Sequence, residues 1–352
     1  MKRQQFINTF FLFFFLFRCN FVYSDDGGSM PAGQSNGLPV IRINTQNGAL
    51  IDSKTNWTNI TSFVLTDPDD PSNDISRVNI QPSLDRIRGR GNSTWVAPKK
   101  PYRIRFREDV SLFGLAAREN WVLLAEWYDP TLIKNSFAFE LGKRLNLPYS
   151  NTYHHVELYL NDVYYGTYVL TEHRQEDPAG EGVPGRVPID PVEGWLVELD
   201  FHFSAEDPQF RTNNYNLPVM IKAPDFPLGN YTNSTNNFVV NNWNRLCYFM
   251  DSPDFPENRY RDMIDMESII KFFLIQVFTQ NFDFNGPGSV FFYKGKDKKI
   301  YASPLWDFDL SFGIGWNDVM TRFSANYYLI NSGLFFIRPN NKIGRASCRE
   351  RV

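Results

Sequence analysis

Cysteine is almost absent. The 352 residues hold three: Cys19 in the apolar leader, Cys348 in the last few residues, and Cys247 between them. With both ends set aside one thiol remains, which excludes an internal disulfide framework and leaves stability to a hydrophobic core. Histidine is scarce too. The four (His154, His155, His173 and His202) show no metal-ligand spacing. An excess of positive charge is also missing. The formal net charge is −3, and residues 25–341 alone carry 29 basic against 38 acidic side chains, a balance of −9. That excludes a general nucleic-acid binder, whose footprint is a basic face. No apolar run reaches the ~20 residues of a membrane span; the longest, from Phe6 to Phe17, stops at Arg18.

What is present at the ends points to the secretory pathway. Lys2 and Arg3 precede that apolar run, and Val22 and Ser24 stand before Asp25. This is the layout of a signal peptide over residues 1–24, followed by a Gly/Ser/Pro-rich linker over 25–37. The last stretch, "KIGRASCRERV" (342–352), has no apolar period and reads as one frame of a sequencing adapter. The natural C-terminus is then expected to differ, and a membrane anchor there stays open, as does oligomeric state. Sequons at Asn56, Asn59, Asn230 and Asn233 predict N-glycosylation. Together these predict a secreted or cell-surface protein.

The pattern predicts an α+β fold. Residues 38–175 read as a β-rich part with a Gly/Arg loop, a Lys-bearing strand and one helix; residues 176–341 read as a helix-rich part with a small hairpin. In "LPVIRINT" Ile41 and Ile43 alternate with Arg42 and Asn44. In "YDPTLIKNSFAFELGKRLNLP" Asp129 suits an N-cap and Pro130 the first helical position. Leu132, Ile133, Phe137, Leu141 and Leu145 predict the apolar face of a helix over 130–145. "HHVELYLNDVYYGTYVLTEH" predicts a hairpin turning at Asn161–Asp162, and "GWLVELD" a further strand. Asp265 is expected to cap a helix whose stripe is Ile269, Ile270, Phe273, Leu274, Val277 and Phe278. Two short strands follow, joined by a turn over 295–299.

Two carboxylates bracket that last hairpin: Asp283 in "QNFDFNG" and Asp307 in "WDFDLSFG". A hairpin brings its ends together, so both are expected at one site. One carboxylate would orient or deprotonate a hydroxyl; the other would hold Mg²⁺ against a phosphate. Phosphoryl transfer needs these parts, and Mg²⁺ takes one or two carboxylates with water and phosphate oxygens. The segment "RGRGNSTWVAPKKPYRIRF" (88–106) supplies the complement. Gly89 and Gly91 would let backbone amides approach phosphates, and Arg88 and Arg90 would contact them bidentately. Lys99 or Lys100 would reach the α- and β-phosphates, with Glu140 as the anchoring carboxylate on the helix. A glycosidase acid pair at Asp283 and Asp307 leaves the Gly/Arg loop unexplained.

These segments, in this order, resemble the CotH kinase family, an atypical kinase-like group named for spore coat protein H. "IRGRGNSTWVAPKKPYRIRF", "NWVLLAEWYDPTLIKNSFAFELGKRL", "FTQNFDFNG" and "SPLWDFDLSFGIG" carry the likeness over roughly 38–315. It implies a two-lobed atypical protein-kinase-like fold, here lacking C-terminal helices. It further implies an ATP-dependent kinase, with Mg²⁺ or Mn²⁺, acting on Ser or Thr of secreted or surface proteins. By the same resemblance Asp283 is the catalytic aspartate, Asp307 and Asp309 bind metal, and Lys99 or its neighbour Lys100 binds nucleotide. Ser289, or alternatively Asn285, occupies the second-metal position. Asn92 heads a sequon inside the proposed phosphate loop and is expected to stay unmodified. A non-catalytic surface adhesion protein on the same fold is the alternative.

Overall fold

Period-two alternation builds the first sheet. The computed structural model describes residues 37–78, 85–177, 185–202, 207–226, 237–285 and 287–312. The expected signal peptide, Asn230, Asn233 and the 342–352 tail lie outside them, as does any C-terminal truncation. The first eight strands are β1 (Val40–Thr45), β2 (Thr58–Thr66), β3 (Ile75–Val78), β4 (Arg86–Gly89), β5 (Tyr102–Val110), β6 (Arg118–Leu124), β7 (Tyr153–Leu160) and β8 (Val163–Glu172). They pair in the order β1-β7-β8-β6-β5-β4-β2-β3, and β1 also pairs with β2, so the ladder closes on itself. Ile41, Ile43, Phe63, Ile87, Ile104, Phe106, Trp121 and Leu158 point inward and form one buried cluster. A closed ladder leaves few free edges, which protects so long a sheet from pairing with other chains. The predicted β7–β8 hairpin is present, and Asn161 and Asp162 both take positive φ (49° and 65°) at its tip, as a primed two-residue turn requires.

The second sheet is wholly antiparallel. It contains β9 (Leu196–Leu199), β10 (Gln209–Arg211), β11 (Pro218–Ala223), β12 (Val290–Lys294) and β13 (Ile300–Ala302), in the order β10-β11-β9-β12-β13. Four α-helices are described: α1 (Ser93–Val96), α2 (Lys134–Arg144), α3 (Phe238–Asp251) and α4 (Met266–Thr279). A second buried cluster joins β9, β11 and β12 to α2, α3 and α4. Val122 and Leu124 of β6 point into this cluster while Trp121 and Leu123 point into the first, so β6 is shared between the two cores. Cys247 is buried in α3 and free; burial pushes its thiol up to about 12. The mixed α+β expectation holds. Among the described residues no helix is long and apolar enough to cross a membrane.

Both predicted helix faces need correction. Asp129 is not the N-cap of α2, a position taken by Ile133, although its carboxylate accepts from the amides of Ile133 (2.9 Å) and Lys134 (2.8 Å). The helix starts at Lys134 rather than at Pro130, because Leu132 turns left-handed (φ 60°) just before it. Its buried face is Lys134, Asn135, Ser136, Ala138, Phe139 and Gly142, while Ile133, Phe137 and Leu145 of the predicted stripe are exposed. Asp265 caps α4 as expected, receiving the Ser268 amide at 2.7 Å. That helix buries Ser268, Ile269, Phe272, Ile275, Gln276 and Thr279 and leaves Leu274 and Phe278 exposed. Apolar residues surround α4, so periodicity alone did not select a face.

Candidate functional site

The segment after β4 is shaped by aromatic packing. A Cβ on Gly89 would lie 2.1 Å from the Trp95 ring, and Gly91 has φ +84°. Both glycines are thus required by their surroundings. The amide of Gly89 donates to Ser53 O (2.8 Å) and that of Arg90 to Pro101 O (3.1 Å). These amides are committed to backbone carbonyls, so the expected cradle of amides is not formed at those two positions.

The Gly/Arg loop borders a cavity of about 1050 Å³. Arg88, Gly89, Arg90 and Gly91 line it together with Asp283, Ser289, Asp307 and Asp309. The structure therefore brings most of the residues singled out in the sequence to one place. Three stand apart from the cavity lining. Lys99 Nζ donates to Thr167 O and sits 4.5 Å from the Tyr168 ring centroid. Lys100 Nζ donates to Trp95 O at 2.6 Å. Glu140 pairs with Arg144 at 2.8 Å on the exposed side of α2. Asn92 lines the cavity and is exposed, with its Oδ1 3.4 Å from Lys54 Nζ.

The acids are held by reciprocal contacts between two loops. Phe282 N donates to Leu310 O (2.9 Å) and Asn281 Nδ2 to Asp307 O (3.2 Å), so the segments carrying Asp283 and Asp307 are tied together. Asp283 opens a single 3-10 turn, and Asn281 Oδ1 accepts its amide at 3.3 Å. Ser289 and Asp307 both have positive φ (52° and 62°). In this conformation Ser289 Oγ donates to Asp307 Oδ2 at 3.3 Å, while Ser289 N donates to Asp200 Oδ2 at 3.2 Å.

Asp309 is fixed from α2. Asn135 Nδ2 donates to its carboxylate and also to both oxygens of Glu126 (3.0 and 3.2 Å). Asn135 Oδ1 accepts from Phe308 N (2.9 Å), and Lys134 Nζ donates to Asp309 O (3.0 Å). This explains why α2 buries polar residues: that face clamps the turn after Trp306.

Electrostatically the site is a set of crowded carboxylates. Burial and then the charges of Asp307, Asp309 and Asp200 push Asp283 up to about 8. Burial and Asp307 push Asp309 to about 7, and burial and Glu198 push Asp200 to about 7. Asp307 is raised by burial, against the pull of Arg90 and the Ser289 hydroxyl. Crowding of this kind favours a bound cation. Among the described residues no three His, Cys, Asp or Glu groups are already arranged to hold a metal. The arrangement fits Mg²⁺, which needs only one or two carboxylates and completes its shell with water and phosphate; Asp307, with Asp309 or Ser289 beside it, would hold it.

Several lining residues escaped the sequence reading: Arg103, Arg174, Glu198, Asp200, Lys222 and Asn135. Glu198 sits on the central strand β9. Burial would raise it, but Lys222 at 2.8 Å and Arg174 outweigh that and hold it below its ordinary value. Arg103 was legible from the alternation of "YRIRF", and Asp200 from the polar end of "GWLVELD". Lys222 and Asn135 offered no signal.

A family model described as CotH kinase protein matches residues 87–337. No curated protein matches the chain.

Proposed function

The chain belongs to the CotH kinase protein family, and on that premise we propose that it is a secreted or cell-surface protein kinase. It would transfer the γ-phosphoryl group of ATP to Ser or Thr of secreted or surface proteins. The observation that carries this reading is the convergence of Asp283 and Asp307 with Arg88 and Arg90 on one cavity. The two sheets, each with its own buried cluster, support a two-lobed layout. The leader and the Asn56 and Asn59 sequons support the secretory route.

The chemistry follows from what each side chain can do. Asp283 is partly accessible in the cavity wall and is the group placed to accept the proton of an acceptor hydroxyl. Asp307, anchored by Asn281 and Ser289, would hold Mg²⁺, which when bound supplies charge neutralisation at the transferring phosphoryl group. Burial raises Asp283 most and repulsion from Asp307 next; a cation held at Asp307 would remove the second contribution and favour the ionised base.

Phosphotransfer from ATP, followed with the full chain made in a secretory host, tests the reading. Asp283→Ala and Asp307→Ala should each abolish transfer while the protein stays folded. Full transfer by both variants would remove the site. The non-catalytic adhesion reading draws on one observation, the engagement of Lys99 and Lys100 away from the cavity, and predicts no transfer by the wild type.

A further inference from the structure

The cavity holds cations that the acids do not explain. On adjacent strands β4 and β5, Arg86 stands opposite Arg105 and Arg88 opposite Arg103. Like charges placed directly across a ladder are unfavourable. Of these four, Arg88 and Arg103 line the cavity, where Arg90 and Arg174 join them. The guanidiniums rest on aromatic faces. Arg88 and Arg103 lie 4.8 and 5.8 Å from the Trp57 ring centroid. Arg90 and Arg174 lie 5.3 and 5.0 Å from that of Trp306, and Arg174 is also 3.8 Å from Phe291. Cation–π seating fixes the planes. Arg88 Nη1 donates to Lys54 O at 2.6 Å and the Nε and Nη2 edge of Arg103 to Asn120 Oδ1 at 3.1 and 2.8 Å, so the forks of Arg90 and Arg174 are the ones that turn to the cavity.

Arg174 shows the unsatisfied donors most directly. Its Nε and Nη1 are buried and have no hydrogen-bond partner. Nη1 forms an ion pair with Glu198 Oε1 at 3.6 Å, which is too long for a hydrogen bond. Buried donors left unpaired are costly, and a ligand that accepts from them removes the cost. Burial lowers Arg90 and Arg174, and burial together with the other arginines lowers Arg103 to about 9. Arg90 is also the strongest positive influence on Asp307, so this cationic wall adjoins the carboxylate assigned to metal.

We propose that Arg90 and Arg174, with Arg103 adding its charge to the same wall, form a guanidinium cradle for the phosphate chain of a nucleotide, taking the role the sequence suggested for Lys99 or Lys100. Two forked donors beside a metal-binding carboxylate match a polyphosphate, which offers successive anionic groups, better than a single carboxylate. The inference rests on the kinase reading above and specifies its ligand contacts.

Titration calorimetry of the full chain with inorganic tripolyphosphate and with MgATP tests it. Arg174→Gln should weaken both ligands at least tenfold. Arg174→Lys keeps the charge, loses the fork and should weaken them at least threefold; it decides the matter if the Gln variant fails to fold. Lys99→Met should leave both affinities within twofold. ATP binding that survives in folded Arg174 variants, or that is lost in Lys99→Met instead, overturns the cradle and leaves the kinase reading standing. A folded wild type that binds neither ligand overturns the kinase reading and the cradle with it.

Discussion

Replacing Asp283 by Asn should stabilise the metal-free protein, and more so at high pH. Asp283 has a folded-state value of about 8 against an ordinary value of 3.8. The folded protein therefore binds this proton more tightly than the unfolded chain does. The sign follows from linkage: the wild type keeps the full benefit only below the unfolded value and loses it as pH rises through about 8. At about 1.36 kcal/mol per unit, the burden on the folded state is of order 2 kcal/mol at pH 5 and of order 5 kcal/mol at pH 8. Asp200 and Asp309, with values of about 7, take up protons over the same range and share the difference, so we expect about 2 kcal/mol. Asn keeps the size and removes the charge. Thermal melts in EDTA should show Asp283→Asn gaining about 4–8 °C over the wild type at pH 8 beyond its gain at pH 5, at about 2–4 °C per kcal/mol for a domain of this size. Equal shifts at both pH values, or a destabilised variant at pH 8, would refute the repulsion argument.

Other outcomes follow from the same geometry. Asn135→Ala removes the amide that bridges Glu126 and Asp309 and the acceptor for Phe308 N. Chemical denaturation should show a loss of about 1–3 kcal/mol, with a matching fall in affinity for MgATP. In a secretory host, glycopeptide mapping should find Asn56, which is exposed, occupied. Asn92 at the cavity rim should be vacant, since a glycan there would cover the nucleotide site; high occupancy at Asn92 in active protein would contradict the placement.

Local signals in the sequence were reliable where backbone chemistry alone decided them. The Asn161–Asp162 turn needed two residues tolerant of positive φ. The Asp265 cap needed a short acceptor before an apolar run. Asp283 and Asp307 were brought together by topology, since β12 and β13 pair between them. Tertiary preference decided the rest. Helix α2 turns Lys134 and Asn135 inward because the turn after Trp306 offers partners, which no period reveals. Lys99 and Lys100 lie in irregular chain before β5, where alternation sets no side-chain direction, and both ended on backbone carbonyls. Arg103 lies within β5, where Tyr102, Ile104 and Phe106 face the core. Its outward direction was fixed by the strand.

The most direct test is the thermal shift of the full chain with ATP, with and without Mg²⁺, wild type beside Asp307→Ala. The account predicts a Mg²⁺-dependent rise in melting temperature for the wild type that the variant loses. A folded wild type that shows no shift, or a variant that shifts equally, would contradict a nucleotide site built on Asp307.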